Sequence, residues 1–413
     1  MKPDATDVIE LTPETRAMLD RVDASAMLRR TLEWSAIQTG TGNLAGLGIQ
    51  TQALADAFSA LPGEVRLEAA APVSAIDADG REVAIERGRN VVLSVRPTSE
   101  RRILLTGHMD TVFPADTSFV ETTEPEPGVL NGPGLADMKG GLSVILEALT
   151  MFEGCDAAQA IGYDVMINSD EETGSAGSAA LIERLARGKL AALTYEPSTE
   201  SDGTFAGARG GSGNYSVIVT GRSAHAGRNP QDGRNAIVAA ADIAVRLAAL
   251  AHADLPINPA RIEGGAANNV VPDHAVLRFN IRPRTTAAAE RFVVTLRRML
   301  DEVAIARDVG VHLHGGISRP PKPVDQRAAR LFETVRECSE RLGLHYARKD
   351  SGGVCDGNNI AACGIPVVDT MGVRGGSIHS HQEFMIVDSL AERAQLSALV
   401  LHRLATGALD KGR

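Results

Sequence analysis

The sequence predicts an α/β protein in which a smaller domain is inserted into a larger one built from both ends of the chain. Three observations lead to this prediction. The chain has 413 residues, which at roughly 150 residues per domain is enough for two or three domains. Short apolar strands alternate with helical patterns over residues 102–195, and a second series of strands and helices fills residues 214–314. A proline-rich stretch follows that second series.

The larger domain is predicted from apolar runs that alternate with helix-like periodicity. Strands separated by helices pair in parallel in an open α/β sheet. In such a sheet the ligand site lies beyond the carboxyl ends of the strands. The predicted strands are 102–106, 164–168, 191–195 and 365–368, and the predicted helices are 141–152, 175–187, 326–342 and 389–404.

The inserted domain is predicted between two linkers. A loose Ser/Gly-rich stretch, 198–213, precedes it, and the stiff segment Arg-Pro-Pro-Lys-Pro at 319–323 follows it. The order between them is β-α-β-β-α-β, which is typical of a ferredoxin-like unit. We therefore predict that residues 1–205 and 320–413 form the larger domain and 206–319 the inserted one. The predicted elements are strand 214–220, helix 235–250, strands 260–264 and 275–282, helix 287–304 and strand 311–314.

Composition argues against several classes of partner. The chain has 42 Lys and Arg against 52 Asp and Glu, a formal charge of −10, so nucleic acid and anionic lipid are not expected as partners. No apolar run approaches the roughly 18 residues of a membrane helix, and residues 1–16 lack the apolar core of a signal peptide. Four cysteines without a C-x-x-C pair suit a reducing compartment. A cytoplasmic location is the expectation.

Polar clusters follow the predicted strands of the larger domain, beginning with two that hold His108, Asp110 and Asp137. His108 ends a strand, and Asp110, two residues on, points to the same side and can orient the imidazole. Asp137 stands among glycines just before a helix. Each has an ordinary alternative, since an H-x-D sequence is often structural and an Asp before a helix is often an N-cap.

Two further clusters are acidic. Asp170, Glu171 and Glu172 follow an apolar strand, and a nearby cation explains three consecutive acids better than a solvated turn does. Adjacent glutamates can divide the work, one binding metal and the other accepting a proton from water. Glu196 follows the next strand and precedes a proline, although a chance loop position would also explain it.

A fifth cluster, near the C-terminus, contains His379 and His381. They are either a pair of ligands or one ligand with a bystander. Taken together, the clusters offer two histidines and three carboxylates from five places, and no cysteine. This set suits two Zn²⁺ or similar divalent ions bridged by a carboxylate.

The motifs HMDTV, GPGLADMKGG, DEETGS, EPS, GRSAHAG, NNVVP and HSHQE occur in this order. Together they resemble the co-catalytic zinc amidohydrolases that include glutamate carboxypeptidase, acetylornithine deacetylase, succinyl-diaminopimelate desuccinylase and aminoacylase. The likeness runs from about Ile37 to the final helix and is nearest to the glutamate carboxypeptidase branch. It implies a zinc-peptidase catalytic domain with a mixed, mostly parallel sheet and an inserted ferredoxin-like α+β lid and dimerisation domain.

The resemblance also implies a role for each residue of the clusters. Asp137 would bridge two metal ions, Asp110 would orient His108, and Glu171 would be the general base that takes a proton from water and passes it to the leaving amine. His381 matches no ligand position. The implied metal ligands are His108, Asp137, Glu172, Glu196 and His379.

In the inserted domain, His225 lies in a motif that resembles the family's lid, where a histidine stabilises the oxyanion and comes from the partner subunit in dimeric relatives. Asn269 and Arg282 match positions that hold the substrate's terminal carboxylate. A guanidinium independently suits a carboxylate through two parallel hydrogen bonds. The ordinary alternatives are a surface histidine and a solvated arginine. The resemblance implies a homodimer formed through the inserted domain.

Two departures bear on specificity. The chain has Arg209-Gly210-Gly211 where many relatives carry Arg-Lys-Gly, and it lacks a lysine that glutamate-specific relatives place shortly after the Glu-Pro motif. Glutamate specificity is therefore not expected. Cys355 lies in a Gly-rich loop near the implied site, but no histidine partner is evident for a nucleophilic role.

The leading hypothesis is a two-metal hydrolase that cleaves the amide bond of small-molecule substrates, N-acyl amino acids or short peptides, with a free C-terminal carboxylate. The alternatives are a deacylase of the acetylornithine deacetylase or aminoacylase kind and a catalytically inactive binding protein. A dinucleotide-binding oxidoreductase is disfavoured, because the Gly-rich segment at 40–46 follows a helical pattern and misses the G-x-G-x-x-G spacing.

Overall fold

The structure is a computed structural model that describes residues 11–410. The expectation about a signal peptide concerns residues 1–16 and so lies largely outside the described residues. Within the described part of the chain, no helix is both long and apolar enough to cross a membrane.

The helices begin and end close to the predicted bounds where a prediction was made. Their ranges are α1 Pro13–Leu19, α2 Ala24–Ser35, α3 Leu44–Phe58, α4 Gly140–Glu153, α5 Ala179–Ala186, α6 Ala236–Leu250, α7 Thr286–Arg307, α8 Gln326–Arg341, α9 Asp356–Ala362 and α10 Ser389–Ala405.

Within residues 11–410, the strands form one sheet of six strands, two sheets of four strands and three two-stranded sheets. Their ranges are β1 Glu64–Glu68, β2 Val73–Ile76, β3 Glu82–Ile85, β4 Asn90–Val95, β5 Arg102–His108, β6 Thr123–Glu126, β7 Val129–Asn131, β8 Gly162–Asn168, β9 Ala191–Thr194, β10 Phe205–Arg209, β11 Ser212–Thr220, β12 Ala224–His225, β13 Ile257–Gly264, β14 Val270–Val271, β15 His274–Ile281, β16 Gly310–Arg319, β17 Arg348–Ser351, β18 Val367–Val368, β19 Gly375–Gly376 and β20 Phe384–Ile386.

The large sheet has the strand order β1-β4-β8-β5-β9-β18. The neighbours from β8 to β18 are parallel, while β4 and β1 are added antiparallel at one edge. The strands are buried because helices cover both faces. Leu105 and Ile167 face a core shared with α4 and α10, whereas Leu104 and Met166 face α5 and α9. This confirms the mixed, mostly parallel α/β sheet.

The four-stranded sheet of the insertion has the order β13-β15-β11-β16, and every pair in it is antiparallel. Helices α6 and α7 pack on one face and close a core of their own around Val217, Leu277 and Phe292. With β11-α6-β13-β15-α7-β16 as the chain order, this is the ferredoxin-like arrangement predicted for the insertion.

The stretch predicted as a linker at 198–213 is partly ordered as a strand. Strand β10 lies within it and pairs in parallel with β17, which the Ser/Gly-rich composition did not indicate. Phe205 and Ala206 of this strand are fully buried. The predicted domain boundary after residue 205 therefore falls inside a strand, and the division into two domains stays a prediction.

Candidate active site

The carboxyl ends of three neighbouring parallel strands carry the polar side chains of the site. His108 is the last residue of β5, the acidic turn at 170–172 follows β8, and Glu196 follows β9 by two residues. Parallel strands end at the same edge of a sheet, so these side chains meet there. Asp137, just before α4, and His379, just after β19, complete the group from the two sides.

Asp137 lies between the two histidines. Its Oδ1 is 3.1 Å from His108 Nε2, and its Oδ2 is 3.2 Å from His379 Nε2. Each oxygen of one carboxylate thus faces a different imidazole, which is the disposition expected of a group shared by two metal ions.

A second carboxylate accompanies each histidine. Glu196 Oε2 is 3.6 Å from His108 Nε2, and Glu172 Oε2 is 3.2 Å from His379 Nε2. Donor atoms of His108, Glu171 and Glu196 lie within 4.8 Å of one another, as do those of His108, Asp137 and Glu172. The five residues predicted as metal ligands are therefore brought together, and their oxygen and nitrogen donors suit a divalent metal.

The concentration of charge shifts the pKa values of the group. Burial lowers the pKa of His108, but the carboxylates around it, Glu196 first, raise it well above its usual value. Hydrogen bonds to Asp137 and Glu172 raise the pKa of His379 to about 11. Burial, with the nearby Asp137 charge, raises the pKa of Glu172 to about 7. The site is electrostatically frustrated unless cations or protons neutralise it.

Asp110 is fully buried and organises the acidic turn. Its carboxylate accepts hydrogen bonds from the backbone N–H groups of Glu171 and Glu172, at 3.1 and 3.2 Å, and from the Thr41 hydroxyl at 2.7 Å. Its Oδ1 lies 3.5 Å from His108 Nδ1, and that nitrogen is 2.9 Å from the Asp110 carbonyl. Asp110 thus contacts His108 and both glutamates, as an orienting residue should.

The Glu171 side chain is paired with Arg319, a residue expected only to begin a linker. Arg319 Nη2 lies 2.8 Å from Glu171 Oε1 and also donates to the Ser175 hydroxyl, while its Nη1 lies 2.5 Å from Asp356 Oδ1. Burial raises the pKa of Glu171 well above its usual value, although Arg319 acts against this shift.

Glu383 is a second functional candidate that sequence reasoning missed. Its buried carboxylate accepts the backbone N–H groups of Gly134, Ala136 and Asp137, at 2.9–3.1 Å. It therefore fixes the loop that presents Asp137. Its position four residues after His379, within the HSHQE motif, is the one signal that could have found it.

A cavity of about 570 Å³ opens beside these residues, and we call it the first cavity. Arg209, Arg282 and Arg319 are among the residues that line it. Arg209 is paired with Asp369 at 2.8 Å, and Arg319 is paired as described. Within residues 11–410, no carboxylate lies within ion-pair distance of Arg282, which contacts Asn280 Oδ1 through Nε at 2.9 Å. Arg282 is therefore the arginine of this wall that remains available to a substrate carboxylate.

His225 and Asn269 are close to each other but do not line the first cavity of the single chain. His225 pairs with Val270 between β12 and β14, and the Asn269 carbonyl accepts from Ala226 N–H. Both are exposed. Their predicted roles stay predictions, since the role of His225 was attributed to a partner subunit.

The two bystander assignments fit their surroundings. Cys355 is buried, its Sγ lies 3.5 Å from Asp369, and burial raises the pKa of its thiol well above the usual value, which opposes a nucleophilic role. His381 stacks on Phe119 with ring centroids 5.2 Å apart.

Comparison with known proteins adds a family to this geometry. Residues 104–403 match the peptidase family M20/M25/M40. The chain is 28% identical to carboxypeptidase G2 of Pseudomonas sp. (strain RS-16) over 325 residues, which covers 78% of each chain. It is 29% identical to succinyl-diaminopimelate desuccinylase of Xanthomonas oryzae pv. oryzae (strain PXO99A) over 321 residues, 73% of this chain and 83% of that protein. A tripeptidase structure from Staphylococcus aureus subsp. aureus mu50 matches with a TM-score of 0.70 and 26% identity, covering 93% of this chain and 99% of the other.

Proposed function

Because the chain belongs to the peptidase family M20/M25/M40 and is an enzyme that hydrolyses amide bonds, we propose a specific reaction for it. It cleaves the amide bond of N-acyl amino acids or small peptides that carry a free C-terminal carboxylate. One observation carries the proposal: the two carboxylate oxygens of Asp137 face different histidines, His108 and His379. They lie beside a cavity lined by Arg282, which is available to a substrate carboxylate.

Two divalent metal ions, most consistent with zinc, are part of the proposal. The donors fit, because they are imidazole nitrogens and carboxylate oxygens, and because the crowded carboxylates call for positive charge. When bound, two such ions lower the pKa of a water molecule and polarise the scissile carbonyl. The residues that would hold them are His108, Asp137, Glu172, Glu196 and His379.

Glu171 is the proposed general base. It takes a proton from the attacking water and later gives it to the leaving amine, and the raised pKa of its buried carboxyl suits both steps. Arg319 holds one carboxylate oxygen, Oε1, and the Glu171 backbone carbonyl. This contact leaves the second oxygen free to exchange protons.

Arg282 is the proposed anchor for the substrate's carboxylate, with Asn269 as a second contact and His225 as the oxyanion donor. Because His225 and Asn269 do not line the first cavity of one chain, the proposal includes a homodimer in which the partner subunit supplies them. Two chains related by a twofold axis exchange such residues reciprocally.

A second candidate is a deacylase that selects a small acyl group instead of the amino acid. The desuccinylase relative favours it, and so does the pairing of Arg209 with Asp369, which removes one cation from substrate binding. In this reading the chemistry is unchanged and only the selected end of the substrate differs.

The two candidates are separated by a hydrolysis panel on zinc-reconstituted enzyme. N-acetyl, N-benzoyl and dipeptide substrates are each offered with varied C-terminal residues, as free acids and as C-terminal amides. We expect the free acids to be preferred. A strong dependence on the acyl group and none on the amino acid would support the deacylase.

Two variants test the assigned roles. Glu171→Gln should keep its metal content, and its kcat should fall about 10²- to 10⁴-fold. Near-normal turnover would refute the role of Glu171 as general base. Arg282→Ala should raise KM about tenfold or more for free acids but not for amides. An unchanged KM for the acids would refute Arg282 as the anchor of the substrate's carboxylate.

A further inference from the structure

A second cavity, of about 770 Å³, adjoins the first. Thr173, Gly174, Asn214 and Ser318 line both cavities, so the two meet beside the acidic turn of the site. The floor of the second cavity is the face of the four-stranded sheet opposite α6 and α7. Its roof is the hairpin β2–β3 of the larger domain.

The roof is fixed by specific contacts and is not a chance gap between domains. Ile76 of the hairpin packs on Ile218 and Val276 of the sheet. Arg278 Nη2 donates to the carbonyls of Ile76 and Asp77, at 2.9 and 2.8 Å. The second cavity is therefore a built feature of this domain arrangement.

The charge of the second cavity has one sign. Arg87, Arg278 and His314 contribute to its wall, and no Asp or Glu among the described residues does so, although the whole chain has a formal charge of −10. The Arg278 guanidinium is engaged, because its Nε lies 2.9 Å from Glu263 Oε2, a carboxylate that also pairs with Arg261, and its Nη2 donates to the hairpin carbonyls. Arg87 has no carboxylate within ion-pair distance among residues 11–410, and its buried Nε has no hydrogen-bond partner there.

A chain of side-chain hydrogen bonds runs from the first cavity to the second. Arg282 Nε donates to Asn280 Oδ1, and the Asn280 amide donates in turn to Asn214 Oδ1 at 2.7 Å. Asn214 and Asn280 line the second cavity. Side-chain amides of this kind can bind the peptide groups of an extended ligand.

We propose that the second cavity is an extended substrate subsite that binds a carboxylate remote from the scissile amide, with Arg87 as its anchor. This inference rests on the proposed function, because it concerns the same substrate. The carboxylate belongs either to a dicarboxylic acyl group or to the end of a leaving peptide longer than one residue. Both offer the same anion to a guanidinium without a carboxylate partner.

The experiment compares matched substrates on the zinc-reconstituted enzyme. In one arm, the acyl groups glutaryl and suberoyl are compared with their terminal amides on one amino acid. In the other arm, N-benzoyl substrates with leaving groups of two and three residues are compared as free acids and C-terminal amides. We expect about a tenfold preference in kcat/KM for the acid in one arm, expressed mainly in KM. Because Arg282 alone can favour a C-terminal acid in the second arm, the arm whose preference is reduced by Arg87→Ala identifies the source of the carboxylate.

Three variants assign the effect. Arg87→Ala should reduce the acid-to-amide ratio about tenfold in that arm, while a short substrate, N-acetyl on the same amino acid, is cleaved as before. Gly316→Leu should fill the second cavity, because an added Cβ at Gly316 meets no atom within 4 Å, and should impair long substrates only. Arg81→Ala is the matched control, since Arg81 is exposed at the tip of the same hairpin and lines neither cavity.

The outcomes are distinguishable. If short N-acyl substrates are cleaved but neither arm shows a preference in the wild-type enzyme, or Arg87→Ala leaves the preference intact, the subsite is refuted and the proposed function stands. If no amide is cleaved by the reconstituted enzyme, the proposed function fails and the subsite fails with it.

Discussion

At the scale of single residues, Asp110 supports the site without being a proposed metal ligand, because it accepts hydrogen bonds from both glutamate N–H groups and contacts His108. Asp110→Asn replaces one carboxylate oxygen, which accepts hydrogen bonds, with an NH₂ group. The hydrogens of that group would face a backbone N–H or the Thr41 hydroxyl, which are themselves donors. We expect metal affinity to fall roughly 10- to 100-fold, as for other groups that orient ligands. Competition with a chromogenic chelator measures it.

The control is Asp116→Asn, which removes the same charge from an exposed position a few residues along the chain. It should leave zinc affinity unchanged. If both variants bind zinc like the wild-type protein, Asp110 does not orient the ligands.

The shifted pKa values predict that metal and protons compete. The pKa of His379 is raised to about 11 by hydrogen bonds to Asp137 and Glu172, and that of His108 is raised well above its usual value. Both imidazoles therefore carry an extra proton near pH 7 in the metal-free protein, and metal binding must release it. Zinc affinity should rise with pH between about 6 and 9.

Calorimetric titration with zinc in buffers of different ionisation enthalpy counts the released protons. We expect two or more near pH 7, because Glu172, whose pKa is raised to about 7, adds to the two histidines. Release of no protons, with an affinity independent of pH, would show that the histidines are neutral before metal binds. The His381→Ala variant is the control. His381 stacks on Phe119, so removing its imidazole should not change the number of protons released when zinc binds.

Residues of the site were predictable where short-range pattern carries their role. His108, Glu172 and Glu196 follow apolar strands directly, so the rule for parallel sheets brings them to one edge. Arg319 was not predictable, because its contact with Glu171 joins residues 148 positions apart. Its neighbouring prolines indicated only a linker.

At the scale of elements, the start of α4 tests how closely the helix must approach the sheet. An added Cβ at Gly141 would lie 2.1 Å from the Tyr195 carbonyl oxygen, and that residue precedes Glu196. Gly141→Ala should therefore push α4 from the end of β9. We expect a loss of roughly 1–3 kcal/mol in the free energy of unfolding, with reduced zinc content.

Gly48→Ala is the matched control, because Gly48 is an exposed glycine inside α3 whose added Cβ meets no atom within 4 Å. It should be neutral or stabilising by about 0.5–1 kcal/mol. Urea unfolding measures both variants. Equal stability of the two would mean that the approach of α4 to Tyr195 is not a tight constraint.

Strands β10 and β17 were missed because they have little apolar pattern of their own. Strand β10 lies in a stretch rich in Ser and Gly, and its partner β17 reads Arg-Lys-Asp-Ser, which is mostly exposed. Their pairing depends on the chain returning to the larger domain after the insertion. The long strands β5 and β8 were predicted because each contains a central apolar run, residues 103–105 and 165–167, as expected of strands that are covered on both faces.

At the scale of the whole molecule, the alternation of elements was sufficient to predict a mixed sheet and a ferredoxin-like insertion. The way the two sheets are joined was not predictable. The hairpin β2–β3 covers the open face of the inserted sheet through Ile76 and Arg278, and nothing local to residues 73–85 indicates that contact. The second cavity exists because of it.

The proposed exchange of His225 between subunits is testable by complementation. Glu171→Gln and His225→Ala are each expected to be nearly inactive alone. In a mixed dimer, one site would combine an intact Glu171 with the partner's intact His225, and the other site would lack both. Random reassociation of equal amounts should therefore restore roughly one quarter of the wild-type activity.

The mixing must exchange subunits, so the two variants carry different affinity tags, are mixed under mild denaturant and are then refolded and purified through both tags. Doubly tagged dimers should have about half the wild-type activity per dimer, because one of their two sites is complete. Doubly tagged dimers without activity would place His225 in cis with Glu171. A fully active His225→Ala protein would remove His225 from the mechanism, and a fully active monomer would remove the exchange.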